Sequence, residues 1–147
     1  MQMVDDLRKG HIELLEAIEG LTSEELTRPN TIGVWSARDL ILHMAMWDGE
    51  ALKAFAVWRT GHDYDWSYTP DFNKFNSFWV ENTARLNPSQ VVQMYNLIRH
   101  ALVCDTEAVP GEIYQKRGKP KWMYDAVINH TAHHLGKLKD YRKSLGK

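Results

Sequence analysis

The sequence predicts a single all-α domain, a bundle of four long helices. Three observations predict it. Apolar residues recur at steps of three and four through four segments, each near helix length, which marks amphipathic helices that must bury one face. No segment alternates apolar and polar residues long enough for a strand. The 147 residues suit one domain and are too few for two comfortable ones. No repeat and no low-complexity tract interrupts this reading.

The first helix is expected over residues 3–21, where Val4, Leu7, His11, Leu14, Ile18 and Leu21 form one stripe. Thr22 and Glu25 then have the spacing of a capping box for a short helical turn that Pro29 ends. Residues 31–35 read as a loop. Ser36 is the expected N-cap of the second long helix, with Asp39 at its third position, where an acid suits the positive helix end. That helix is expected over residues 37–59, with Leu40, His43, Met44, Trp47, Ala51, Ala54, Phe55 and Trp58 facing inward.

Residues 60–70 are polar and contain Gly61 with the aromatics Tyr64, Trp66 and Tyr68. This connection is long enough to cross one end of a bundle. A third helical region begins near Asp71 with Phe72, Phe75 and Trp79 at helical spacing. It should kink or restart at Asn87-Pro88, an N-cap followed by proline at the first helical position. Val91, Tyr95, Ile98 and Leu102 continue its stripe until Val109-Pro110-Gly111 breaks it. A basic loop over residues 112–121 leads to the last helix, expected over residues 122–145. Tyr124, Val127, Thr131, His134, Leu138, Tyr141 and Leu145 mark its inward face, and Arg142 and the lysines near its end suit the negative terminus.

Apolar residues make up 44% and charged residues 25%, a globular balance. Eighteen basic against nineteen acidic residues leave a net charge of −1, so no bulk field favours nucleic acid or an anionic membrane. No apolar run approaches the roughly 20 residues that span a bilayer. The first nine residues carry charge where a secretory signal has its apolar core, so a cytoplasmic location is expected. The one cysteine, Cys104, cannot form an internal disulfide and reads as an ordinary thiol. Six Trp, six Tyr and four Phe suit a wide interior or an apolar pocket.

Seven histidines are the main chemical signal: His11, His43, His62, His100, His130, His133 and His134. His62 falls in the long connection, and His100 is out of phase with Ile98 and Leu102, so both should face water. His130 and His134 stand four apart, one turn apart on one helix face, close enough to share an ion. His43 lies on the inward stripe of the second helix. If the two helices face each other, three imidazoles converge. Three neutral nitrogens plus an open position make a catalytic Zn²⁺ ligand set, and Ni²⁺, Fe²⁺ or Mn²⁺ also fit such donors. The opposing reading is that an inward histidine is a hydrogen-bonded core residue and not a ligand. The motif is not the HExxH of a zinc protease, because Thr131 stands where the glutamate would be.

His133 lies about 60° around the helix from His130, and His134 lies about 40° from it on the other side. His134, in phase with Thr131 and Leu138, is the preferred ligand. His133 is expected as an exposed residue, with support of the ligands or a general-base role as alternatives. His11 and Asp48 are further candidates for supporting the ligands. An aromatic pocket for an apolar small molecule is assigned to Trp35, Trp47 and Trp79. Asp48 and Glu50 are expected as solvated helix residues, with general-base action through a water as the alternative.

Residues 33–47, GVWSARDLILHMAMW, resemble the second-helix motif of the DinB-like superfamily, in which a W-S-x-x-D-L lead-in opens a helix and a histidine follows. Residues 129–135, NHTAHHL, resemble its last-helix motif, with two histidines four apart. With Asp71-Phe72-Asn73 between them, the chain is most similar to the ClbS/DfsB-type branch. The resemblance implies an up-down-down-up four-helix bundle, often a homodimer. It also implies a divalent metal on His43, His130 and His134. Members of the superfamily include metal-dependent transferases that use low-molecular-weight thiols. ClbS-type proteins instead open a cyclopropane ring of a genotoxic natural product without a metal. Their last-helix motif reads His-Tyr-x-Glu-His, and here Thr131 and His133 depart from it. Three functions follow as expectations: a metal-dependent enzyme acting on a small molecule, a metal-free protective hydrolase or sequestering protein, and a dimer that binds without chemistry.

Overall fold

A computed structural model describes residues 1–67, 71–112 and 124–147. Expectations for Tyr68, Pro70, Trp122 and the rest of the basic loop over residues 113–121 lie outside them, as does the side chain of Tyr124. The chain is all-α. Among the described residues there is no strand, only one antiparallel bridge between Ile32 and Trp35 in the loop before the second long helix. In order, the helices are α1 (Gln2–Ile18), α2 (Ser23–Thr27), α3 (Ala37–Arg59), α4 (Phe72–Asn82), α5 (Pro88–Ala108) and α6 (Asn129–Ser144). A π-helical turn, Tyr124–Ile128, runs directly into α6.

The helix starts follow local chemistry. Thr22 and Glu25 form the capping box of α2, Ser36 and Asp39 that of α3, and Asn87 and Gln90 that of α5, where Pro88 sits at the first turn. Asp71 caps α4 by accepting from the backbone amides of Asn73 and Lys74. Each cap satisfies amides that would otherwise lack a partner and contributes about 1 kcal/mol. Two boundaries differ from the sequence expectation. Helix α1 ends at Ile18, short of residue 21, because Gly20 takes a left-handed φ of 73° and turns the chain. Leu21 still packs on the core, but from the turn. The last segment is not one uniform α-helix, since its first described residues are wound as a π turn.

Two apolar cores are separated by a polar layer. One core gathers Leu14 and Ala17 of α1, Leu40, Ile41 and Met44 of α3, Val91 and Tyr95 of α5, and Leu135, Leu138 and Tyr141 of α6. The other gathers Met3, Val4 and Leu7, then Ala51, Phe55 and Trp58, then Leu102 and Val103, with Val127 of the π turn. Between them lies Arg99, fully buried, whose Nε and Nη2 donate to the two carboxylate oxygens of Asp48 at 2.6 and 3.1 Å. Nη2 also donates to Thr131 Oγ1 at 2.8 Å, and Nη1 reaches the carbonyl of Leu7. One guanidinium therefore touches α1, α3 and α6 from its seat on α5.

Asp48 and Glu50 are not the solvated residues that the sequence suggested; each is 2% exposed. Helix α3 is buried on nearly all sides along this stretch, so its polar positions face protein. Burial pushes the Asp48 carboxyl up and the Arg99 charge beside it opposes that rise. Burial disfavours the Arg99 charge, but the Asp48 carboxylate and the Tyr95 hydroxyl together outweigh it and raise its pKa, so Arg99 stays charged. Glu50 accepts from Lys53 Nζ at 2.6 Å and from the Tyr64 hydroxyl at 2.8 Å.

Removing one partner of such a pair strands the other charge in the interior. Asp48→Ala should lower stability in urea denaturation by about 3–5 kcal/mol. The double variant Asp48→Leu, Arg99→Met should recover most of that loss. A double variant as unstable as the single one would show that the stranded charge is not the cause.

Candidate metal centre

Helices α3 and α6 bring His43, His130 and His134 to one point. His43 Nε2 lies 2.9 Å from His130 Nε2 and 3.2 Å from His134 Nε2, and the last two are 2.9 Å apart. The ring of His43 meets the other two edge to face at centroid distances of 4.8 and 4.9 Å. The expected convergence of the three rings therefore occurs. His43 and His134 are buried and His130 is half-buried.

The three nitrogens fit a cation better than they fit one another. An imidazole nitrogen either donates or accepts, so three nitrogens cannot satisfy all three mutual contacts with neutral rings. At least one contact sets like groups face to face, and a shared cation removes that conflict. A divalent ion about 2.0–2.1 Å from each nitrogen spaces its ligands about 2.9 Å apart at right angles and about 3.3 Å apart in a tetrahedron. The observed triangle lies within that range. The arrangement can hold a metal ion.

Burial keeps all three rings neutral. It lowers the pKa of His43 to about 3, that of His130 to about 4 and that of His134 to about 3, from an ordinary 6.5. Neighbouring positive charge adds to this, from His130 on His43 and from His133 on His130. Neutral imidazole is the form that binds metal. Behind the rings, the Nδ1 atoms of His43 and His134 are buried with no hydrogen-bond partner among the described residues. Ring packing holds them instead: Trp35 lies 4.9 Å from His43, and His133 lies 5.1 Å from His134.

The triad opens onto a cleft of about 690 Å³, the size of many small-molecule sites. Trp35 and Trp47 line it as the sequence suggested. Trp79 does not; it lies further along α4, half-buried, and its ring packs against Phe75 and Phe78. Trp66 and Phe72 form the walls in its place. Trp66 belongs to the connection after α3, where Tyr64, bonded to Glu50, packs against it at 4.6 Å. Asn76, Asp125 and Ala126 complete the lining, and no signal in the sequence had singled them out. Asn76 was within reach, since it stands four residues after Phe72 on the same helix face.

The supporting groups assigned from the sequence divide. His133 is exposed and lines the cleft. Asp48 bonds Arg99 and reaches the centre only through Thr131, the residue next to His130. His11 is half-buried elsewhere, with Nε2 at 2.7 Å from Asn96 Oδ1 and its ring against Tyr95. A base role for Asp48 or Glu50 does not fit, because cationic and phenolic donors occupy both carboxylates. His62 and His100 are exposed as expected, and Cys104 is a free, exposed thiol 3.7 Å from His100.

Comparison of the chain with protein-family models, with curated proteins and with solved structures found no match.

The depressed pKa values set a pH test. A histidine site with ordinary pKa values of 6.5 loses affinity as pH falls below that value, about tenfold per ring at pH 5.5 and so about a thousandfold for three. Native rings with pKa values of about 3 to 4 take up no protons in that range. Calorimetric titration with Ni²⁺ at pH 7 and pH 5.5 should therefore give affinities within about tenfold of each other. The unfolded chain does protonate its histidines below pH 6.5, so the metal-free protein should lose stability from pH 6.5 downward. A thousandfold loss of Ni²⁺ affinity would show that the rings are open to water.

Proposed function

We propose that this protein is a metal-dependent enzyme of the DinB-like kind, a thiol-dependent transferase or a hydrolase that acts on an apolar small molecule in detoxification or stress. The observation that carries this reading is the set of three neutral Nε2 atoms within 3.2 Å of one another on the floor of an aromatic cleft. His43, His130 and His134 hold the ion, with Zn²⁺ or Ni²⁺ ahead of Fe²⁺ or Mn²⁺. Once bound, the metal supplies an open Lewis-acid position at which a water or a low-molecular-weight thiol is a nucleophile near neutral pH. Trp35, Trp47, Trp66 and Phe72 hold the apolar body of the substrate and exclude water. His133, exposed in the lining beside His134, is placed to take up the proton that the nucleophile releases.

The up-down-down-up bundle is part of the same reading. Its support is the membership of the two cores. Helix α1 enters the Phe55 core with its early residues and the Leu40 core with its late ones, as does the last segment through its π turn and then α6, while α3 and α5 do the reverse. No helix among the described residues is long and apolar enough to cross a membrane. In this reading the protein works in the cytoplasm as a homodimer, and nucleic acid is not a partner.

Elemental analysis of the purified protein should find about one divalent ion per chain. Adding Ni²⁺ or Zn²⁺ at a hundredfold excess over Kd to stripped protein should stabilise it by about 2.7 kcal/mol, a rise of several degrees in Tm. His43→Ala should abolish that rise and keep the helical circular dichroism. A protein that takes up no divalent ion, even after dialysis against Zn²⁺ or Ni²⁺, would end the proposal.

A further inference from the structure

Asn76 occupies a place in the cleft that the metal centre alone does not explain. It stands on α4 facing α3, and its Oδ1 accepts from the Trp47 indole Nε1 at 3.0 Å. An indole N–H can only donate, so its partner must be the amide oxygen. That contact fixes which way the amide is turned. The Trp47 contact leaves the other branch of the side chain, the Nδ2 group with its two N–H donors, unused, and Asn76 is half-buried in the cleft lining. Asn76 lines the same cleft as His43, His130 and His134, so its amide stands beside the metal-binding face.

A pair of amide donors held by a half-buried indole beside a metal face suits an oxygen acceptor. The walls around it are the rings of Trp47 and Phe72, 5.4 Å apart edge to face, with Trp66 across the cleft. Phe72 is 58% exposed, an aromatic surface left for a ligand to cover. We infer that the ligand of this cleft is an apolar, aromatic-bodied molecule with an acceptor oxygen, a carbonyl, carboxylate or phenolate, that Asn76 Nδ2 binds beside the His43–His130–His134 face. This rests on the proposed enzyme for the metal but not for the amide, because Asn76 is oriented by Trp47 in either metal state. Asn76 is a specificity residue for the oxygen, and Trp47 is its positioning residue.

Two probes with the same ring separate the acceptor oxygen from the aromatic body. Benzoate presents oxygens, and phenylmethanethiol presents sulfur only. Their binding is read by quenching of tryptophan fluorescence, in stripped and in Co²⁺-loaded protein, with the visible Co²⁺ spectrum reporting the metal. Asn76→Leu should weaken benzoate about tenfold in both states, the change expected for loss of a hydrogen bond to a charged oxygen. It should leave phenylmethanethiol and the Co²⁺ spectrum of the probe-free protein unchanged. Trp47→Phe, which keeps an aromatic wall and frees the amide, should weaken benzoate by a smaller factor. The inference is overturned if Asn76→Leu weakens both probes alike or neither, or if the wild-type chain binds no benzoate at millimolar concentration. Failure of Co²⁺ to bind is a separate outcome. It removes the metal enzyme, while the benzoate comparison in stripped protein still decides the role of Asn76.

Discussion

The geometry of the protein depends on a charge placed where charge is costly. Arg99 sits between two apolar cores, and its guanidinium is satisfied by groups from three other helices: the Leu7 carbonyl, the Asp48 carboxylate and the Thr131 hydroxyl. Two hydrophobic faces can slide or rotate past each other at little cost, because apolar contact has no direction. A bidentate guanidinium–carboxylate pair has direction, and in a dry interior a displaced partner leaves an unpaired charge. The layer therefore fixes the register of α3 against α5 and the rotation of α6 against both. Gly10 on α1 faces the same layer. A β-carbon there would lie 3.4 Å from the Thr131 methyl and 3.7 Å from Arg99 Nη1, so α1 packs directly on this layer at residue 10.

The metal centre inherits that register. His43 lies five residues before Asp48 on α3, and His130 is the immediate neighbour of Thr131 on α6. The two histidine-bearing helices are thus tied to each other, through Arg99, within about a turn of the ligating rings. Among the described residues no carboxylate or carbonyl backs the buried Nδ1 atoms of His43 and His134. Such backing is the usual way to orient a metal-binding histidine. Here orientation comes from helix register and from packed rings, Trp35 on one side and His133 on the other. The π turn just before α6 belongs to the same arrangement. It places Asp125 and Ala126 in the cleft lining and Val127 in the core, immediately before the turn that carries His130.

Much of this was legible in the sequence, and the parts that were not share a cause. Helix starts were legible because caps are local: Ser36 with Asp39, and Asn87 with Pro88 and Gln90, announce themselves within four residues. The histidine triad was legible because His130 and His134 share a helix face and His43 lies on an apolar stripe. Arg99 and Asp48 were not, because a stripe search follows apolar residues, and each charge hides on a buried face that only its partner explains. Residue 99 lies four after Tyr95, on the same face, and Asp48 lies four after Met44. A charge in phase with a core stripe was the available sign. The exchange of Trp79 for Trp66 and Phe72 has a different origin. Which aromatic faces the cleft depends on how α4 docks and on how Tyr64 ties the long connection to Glu50, and both are tertiary facts.

Helix α6 shows how one short element serves two environments. Thr131 faces the polar layer, while His130 and His134 face the cleft, all within five consecutive residues. The Thr131 hydroxyl accepts from a charged guanidinium, and a donor of that kind holds a hydroxyl more firmly than a neutral one would. A rotation of α6 large enough to separate its histidines from His43 would also pull Thr131 off Arg99. The cost of misplacing the site is therefore borne by the interior and not by the rings alone. That coupling explains how a donor set without hydrogen-bonded support can still be held in place before any ligand arrives.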